Sequence, residues 1–361
     1  MKIRTKSIFR VASSILFALL FLYLAFRGSD FQKLKSSLEG ANYLWALLLI
    51  PCLFISNIFR ALRWRYLLDP IKRNISFRNL FSSLMIGYMV NNALPRVGEI
   101  VRPYNLGRLE HISKSAVFGT VLVERILDLL SFLLCLAVIF FFYRDSLAQA
   151  FPWLGGASII LSVVTVGAFV LFAFLLGRRD LALQWVHRFT RPFSPASSRK
   201  VENLVHSFLD GFLIIREPRQ YLMIVVQTII IWFWYALMMY IPFFAFGMVG
   251  DYSLNFGVAV VIMVISAIGF IIPVPGATGT YHWITRECLV RLFGVNVEVA
   301  LSYATVTHLL GFVSVTVVGL LYFLRDHLRF SEAIRAREEA GMELELKENP
   351  RHNQKPLGRS L

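Results

Sequence analysis

Five ionisable residues sit where apolar helices are expected to run. Glu99 and Arg102 lie three apart just beyond the stretch Asn91-Asn92-Ala93-Leu94-Pro95-Arg96-Val97-Gly98, and Glu124, Arg125 and Asp128 lie at the entry of a long apolar segment. On a helix, Glu124 and Asp128 share one face, and Arg125 reaches Asp128 at the i,i+3 spacing. A lone charge in mid-membrane costs about 3 kcal/mol on insertion scales, so these groups are expected to pair with one another or to face water. Arg102 with Asp128, and Arg125 with Glu99, are the expected cross-helix pairs. Such a constellation suits two chemistries. Arg96, Arg102 and Arg125 can hold an anionic headgroup, or one of Glu99, Glu124 and Asp128 can serve as general base for transfer to a lipid-linked headgroup. A third reading leaves the charges as anchors at headgroup level, in a non-catalytic envelope scaffold.

The elements that must position them are helices of an unusual kind. Phe77 to Val90 is apolar but short, and it runs into the Pro95 and Gly98 break. Leu254 to Ile272 ends similarly in Pro273-Val274-Pro275-Gly276-Ala277-Thr278-Gly279-Thr280-Tyr281-His282. Proline removes a backbone donor and glycine weakens helix, so each break frees polar groups that lipid cannot satisfy. Breaks of this kind persist at membrane depth only in protein or beside water, and a pair of them in corresponding halves points to a transporter's binding site. The first follows a basic loop and the second follows the Gly250–Ser253 turn on the far side, so re-entrant hairpins here imply inverted halves.

Around the breaks, Ile8 to Phe26, Tyr43 to Ile58, Ala116 to Tyr143, Ala157 to Gly177, Tyr221 to Met248 and Ala300 to Leu324 are long enough for full spans. Ile8 to Phe26 is expected to be a transmembrane helix rather than a cleaved signal, because no small-x-small site ends it. The chain has 361 residues, 57% of them hydrophobic and only 16% charged, well below the charged share of an ordinary soluble domain. The fold class is therefore all-α, a polytopic helix bundle of about six to eight spans with two Pro/Gly-broken helix pairs in an inverted-repeat arrangement. Residues 1–325 are expected to form the membrane domain, with a cytoplasmic loop at about 178–219. Residues 326–361 are expected to form a charged, partly disordered cytoplasmic tail.

The formal net charge is +15. Lys and Arg flank apolar segments instead of lining a soluble face, which excludes nucleic acid as the expected partner and fits a positive-inside signal. Arg60, Arg63, Arg65, Lys72, Arg73 and Arg78 are expected in a cytoplasmic loop, and the multi-pass chain in a bacterial inner membrane with both termini cytoplasmic. Cys52, Cys135 and Cys288 have neither disulfide nor metal-ligand spacing. With no Walker loop, H-E-x-x-H, nucleophile elbow or D-x-D pair, neither cofactor nor metal is expected, and enzymatic activity is the less favoured reading.

The stretches Asn92-Ala93-Leu94-Pro95-Arg96-Val97-Gly98-Glu99-Ile100-Val101-Arg102, Val123-Glu124-Arg125-Ile126-Leu127-Asp128 and Pro275-Gly276-Ala277-Thr278-Gly279 resemble the membrane region of lysylphosphatidylglycerol synthetases. That family also includes stand-alone flippase-like proteins. The resemblance covers nearly the whole chain to about Leu324, without the soluble domain that transfers the amino acid in two-domain members. It implies a lipid-handling membrane domain that moves a phospholipid or polyprenyl-linked headgroup between leaflets. Site residues carried over on these motifs are Asn92, Pro95, Arg96, Gly98, Glu99, Arg102, Glu124, Arg125, Asp128, Pro275, Gly276 and Gly279. The pattern departs in the second half. Ala277 stands where the family shows a second glycine, His282 takes the place of an acid, and His308 stands where an arginine is common. Both histidines are site candidates and potential proton carriers. Arg286 and Glu287 read first as interface anchors. The expected partners are membrane lipids, with a cell-envelope enzyme or a second copy of the chain as protein partner.

Overall fold

The computed structural model describes residues 2–150, 163–167, 170, 174, 188 and 218–328. The expected span at 157–177, the loop at 178–219 and most of the 326–361 tail lie outside the described residues or largely so. Among the described residues the regular structure is helical throughout. Among the described residues four helices are long and apolar enough to cross a membrane, and a fifth span results if one bent helix pair crosses as a unit.

That bent pair opens the chain. Helix α1 (Lys2–Phe26) meets α2 (Phe31–Glu39) at an angle of 88°. The turn is fixed by Asp30, which caps α2 through the amides of Gln32 and Lys33 and gives its own N–H to Glu298. Then come α3 (Tyr43–Leu47) and α4 (Leu49–Leu68), nearly continuous, and after a basic turn α5 (Phe77–Ala93) and α6 (Gly98–Glu110). The turn before α5 is tied to the end of α6. Glu110 accepts from Lys72 Nζ at 2.6 Å, Asn79 Nδ2 at 2.7 Å and the Ser76 amide. Burial alone would raise the Glu110 carboxyl, but these donors outweigh it and hold its pKa below the usual range.

Helix α7 (Lys114–Phe142) is a long span whose Leu129, Leu134, Val138, Phe141 and Phe142 face outward, as a lipid-contacting surface requires. It is followed by the short α8 (Arg144–Ala150). The second half consists of α9 (Pro218–Ala245), α10 (Met248–Asp251), α11 (Phe256–Ile271), a 3₁₀ turn at Pro275–Ala277, α12 (Thr280–Phe293) and α13 (Val297–Arg325).

Both Pro/Gly breaks reverse the chain. In the first half Ser83 bonds Asn105, Gly87 lies against Arg102, and Asn91 Oδ1 accepts the Gly98 amide, so α5 and α6 run antiparallel. In the second, Ser266 bonds Thr285 at 2.7 Å and the Gly269 carbonyl accepts from Thr280, so α11 and α12 do the same. At 17 and 16 residues, α5 and α11 extend about 25 Å, short of the roughly 30 Å apolar thickness of a bilayer. Each pair is an antiparallel hairpin of two short helices.

Helix α13 sets their relative sense. Its Arg325 end meets the start of the first hairpin, where Asp326 accepts from Ser82 and Asn105. Toward the tip of that hairpin, Gly319 packs on Met85 and Met89, and Asn92 bonds Thr316. The other hairpin joins the Val297 end of α13 through a three-residue turn and reaches Thr307 and His308 at its own tip. The hairpins thus approach from opposite ends of α13, and their tips meet beside its middle. There Arg96 donates to the Ile271 carbonyl across the junction.

One expectation changes. Residues Asp326 and Leu328, assigned to the tail, are buried, because Asp326 joins the Ser82–Asn105 network and Leu328 packs against Val90 and Val97. Arg286 ties two helices together. Its Nη1 donates to the Leu24 and Ala25 carbonyls at 3.0 and 2.7 Å, satisfying the last turn of α1. Arg286→Met is expected to destabilise the fold by about 2 kcal/mol, the worth of hydrogen bonds to a charged donor, and to speed proteolysis near Arg27. Proteolysis at wild-type rate would show that α1 docks without this tie.

Candidate functional site

The ionisable residues converge on one buried cluster between α4, α6 and α7, about 15 Å along α7 from Lys114. At its centre Glu124 is fully buried. Its carboxylate lies 2.6 Å from Arg60, 2.8 Å from Arg102, 2.9 Å from Arg125 and 3.5 Å from Arg63. Asp128, one turn on, meets Arg63 at 2.5 Å, Arg60 at 3.1 Å and Arg125 at 3.2 Å. Arg125 also reaches Glu99 at 3.7 Å. Four guanidiniums against three carboxylates leave one net positive charge.

The expected Arg125–Glu99 and Arg125–Asp128 contacts are present. Arg102 meets Glu124 instead of the expected Asp128. Arg102 lies beside Gly87 and reaches Glu124, one turn before Asp128 on α7. Arg60 and Arg63, which the run of basic residues places in a loop, belong to the cluster: α4 runs unbroken to Leu68 and turns both inward, 7% and 0% exposed. Their signal in the sequence is the i,i+3 spacing, continued by Trp64, Leu67 and Leu68 on the buried side of the helix.

Aromatic and hydroxyl groups complete the walls. The guanidinium of Arg102 stacks on Trp64, 3.6 Å from the ring centre, and Trp64 is itself fixed by Nε1 to Thr120. Arg60 donates to the Tyr235 hydroxyl and Arg63 to Thr228, so α9 closes one side. The Arg102–Glu124 approach is close but off the hydrogen-bonding direction. Consequently Arg102 Nε and Nη2 and Glu124 Oε2 remain without hydrogen-bond partners, as do Glu99 Oε2, Arg125 Nε and the Tyr88 hydroxyl. Buried polar atoms are nearly always satisfied, so this concentration sets the cluster apart from the rest of the buried polar groups. Arg125, Glu99 and Asp128 form its open side, with side chains 36%, 28% and 22% exposed.

The remaining sequence candidates lie elsewhere. Gly98 serves packing, since a Cβ there would fall 1.9 Å from the Gly87 carbonyl oxygen. Asn92, Pro95 and Arg96 belong to the first hairpin tip. Pro275, Gly276, Gly279, His282 and His308 belong to the junction with the second. Gly279, at φ +88°, lets α1 pass, because a Cβ would meet the Ala18 oxygen at 2.5 Å. Ala277 also has positive φ, +56°, a strained conformation for alanine at a position where the resemblance leads one to expect glycine. Among the described residues no group of three or more His, Cys, Asp or Glu is placed to hold a metal.

Two opposed helical hairpins, helices long and apolar enough to span and a buried arginine–carboxylate cluster define a multi-pass membrane protein with an internal polar cluster. The chain belongs to the family described as the lysylphosphatidylglycerol synthase TM region, which it matches over residues 11–319. It is similar to a UPF0104 membrane protein of Methanothermobacter thermautotrophicus, 27% identical over 299 residues, covering 80% of this chain and 87% of that one. A UPF0104 membrane protein of Methanocaldococcus jannaschii is 33% identical over 137 residues, 37% of this chain and 40% of its own. One from Pyrococcus horikoshii is 24% identical over 299 residues, 79% of this chain and 88% of its own. No solved structure matches the chain.

Proposed function

We propose that this protein binds the anionic headgroup of a membrane lipid at the Arg60–Arg63–Arg102–Arg125 cluster and carries it between leaflets while the acyl chains stay in the bilayer. The observation that carries this reading is the excess positive charge of a buried cluster whose polar atoms are incompletely satisfied. Glu124 and Asp128 spread the four guanidiniums and keep them from repelling one another. Arg102, stacked on Trp64 and with Nε lacking a hydrogen-bond acceptor, is the natural donor to a phosphate oxygen. The headgroup is that of an anionic phospholipid or a polyprenyl-linked carrier. Hairpins that meet from opposite faces supply the paired barriers that alternating access needs. The basic residues Arg65, Lys72, Arg73 and Arg78 near the Arg325 end of α13 support a cytoplasmic placement of that end.

The test is leaflet exchange in sealed liposomes, using headgroup-labelled phosphatidylglycerol and a polyprenyl phosphate. Arg125→Gln keeps most packing because its side chain is part-exposed, and it should slow exchange at least about tenfold, the loss of one charge-assisted contact. Arg291→Gln, on an exposed helix pair, should match wild type. No exchange by wild type would overturn the transporter reading. Product formed from a lipid-linked headgroup by protein in detergent, without leaflets, would replace it with a transferase.

A further inference from the structure

The junction of the two hairpin tips contains a pair of histidines that the headgroup site does not use. His282, at the start of α12, and His308, in the middle of α13, stand with ring centres 4.6 Å apart and planes tilted by 55°. The Gly279 amide points at His282 Nδ1 at 3.4 Å, so that nitrogen carries a lone pair and the proton sits on Nε2. His308 Nε2 lies 2.8 Å from the Gly276 carbonyl and must donate to it. His282 is therefore neutral here, and both rings are tied to the Gly276–Gly279 turn that forms the second tip.

The surroundings hold the pair tightly and offer it no counter-ion. Phe312 stacks on His308 with ring centres 5.8 Å apart, and Tyr281 flanks it at 5.6 Å with its hydroxyl given to Thr307. From the first hairpin come Asn92, bonded to α13, and Arg96, bonded to the Ile271 carbonyl. From α1 comes the main chain of Ala18 to Leu22. Farther along α12, Arg286 is spent on α1 carbonyls, and Glu287 pairs with Arg291. Among the described residues neither histidine pairs with a carboxylate.

We infer that His282 and His308 form a one-proton site whose occupancy opens the contact between the hairpin tips. A proton on His282 Nδ1 sets N–H against the Gly279 N–H and breaks that tie. A proton on His308 Nδ1 puts a charge between Phe312 and a second imidazole with no anion to meet it. Either way the charged ring lacks an anion to meet it, with His282 buried and His308 half-buried, and more water reaches it when the tips part. Two protons are excluded by repulsion at this separation, so the pair titrates as a unit. Protons bind the open junction better than the closed one, and falling pH shifts the equilibrium toward opening. The inference stands independently of the headgroup site. Only its consequence, a lipid movement driven by protons, rests on the proposed function.

The test needs no lipid substrate. Amide hydrogen exchange of the full chain in nanodiscs, corrected for the intrinsic pH dependence of exchange, is compared at about pH 5.5 and about pH 8. Wild-type amides from Ala277 to Trp283 should lose at least about tenfold in protection at the lower pH, while those of α4 keep theirs. His282→Gln with His308→Gln should abolish the pH dependence. If the double variant loses protection in α4 as well, His282→Gln and His308→Gln are compared singly, and each should lessen the pH dependence while leaving α4 as in wild type. Equal wild-type protection at both pH values, or a pH response that survives the substitutions, would overturn the inference. Either could occur with lipid exchange intact, which separates this failure from that of the headgroup reading.

Discussion

Glu124→Gln is expected to lower stability by about 3–5 kcal/mol, the usual consequence of removing one partner of a buried ion pair. Glutamine has nearly the same volume, so no cavity forms and the whole effect is electrostatic. The carboxylate touches all four guanidiniums of the cluster, and without its charge the site rises from one net positive charge to two inside a low-dielectric wall. In a thermal melt in detergent the midpoint should fall by about 10 °C. Asp128→Asn removes the same charge at a more open position, 22% exposed, and should cost clearly less, about 1–2 kcal/mol. The ordering is the discriminating result. Equal losses would mean that water reaches Glu124 as freely as Asp128, and an unchanged Glu124→Gln midpoint would mean that the arginines do not depend on it.

The two variants also separate folding from function. An anionic headgroup is held by the same guanidiniums that Glu124 holds, so ligand and carboxylate partly compete. A phosphate-containing lipid should therefore recover part of the stability lost in Glu124→Gln, and recover more there than in wild type. Recovery by a neutral lipid of equal chain length to the same extent would assign the effect to the bilayer instead of the cluster.

Much of this arrangement is legible in the chain because the bilayer allows few exceptions. A helix broken by Pro95 and Gly98, or by Pro273, Pro275 and Gly276, must turn back or find water, and both do turn back. Arg125 was paired with Glu99 and Asp128 from helical spacing and the cost of a lone charge, and both contacts form. What failed depended on phase and depth, which composition does not encode. Arg60 and Arg63 were counted with Lys72 and Arg73 as one basic loop, since counting positive charges ignores which way each points. Whether Arg102 meets Glu124 or Asp128 is a matter of one helical turn between α6 and α7, set by how closely α6 lies on α5. His308 was placed in a span by its apolar surroundings, but its approach to His282 depends on α13 crossing both tips. Gly87 gave no signal at all inside an apolar helix, although its lack of a side chain is what lets Arg102 come close.

That close approach makes Gly98→Ala the second large effect. A single methyl there would sit 1.9 Å from the Gly87 carbonyl oxygen and 2.7 Å from Asn91 Oδ1, so α6 must move away from α5 by more than 1 Å. Neither obstacle is a flexible side-chain end: one is helix backbone, and the other is held by its bond to the Gly98 amide. Overpacking of this kind costs about 3 kcal/mol, and here the strain falls on the helix that carries Glu99 and Arg102. Displacing Arg102 by that distance takes it off Trp64 and away from Glu124, so lipid exchange should be lost along with stability. Gly311→Ala is the matched control, because nothing lies within 4 Å of its added methyl. It should be neutral or stabilising by up to about 1 kcal/mol through helix propensity. If Gly98→Ala melts like Gly311→Ala yet loses exchange, the hairpin yields and only the position of Arg102 matters. If both melt and transport like wild type, α6 does not pack on α5 as closely as the structure has it, and the cluster's geometry fails with it.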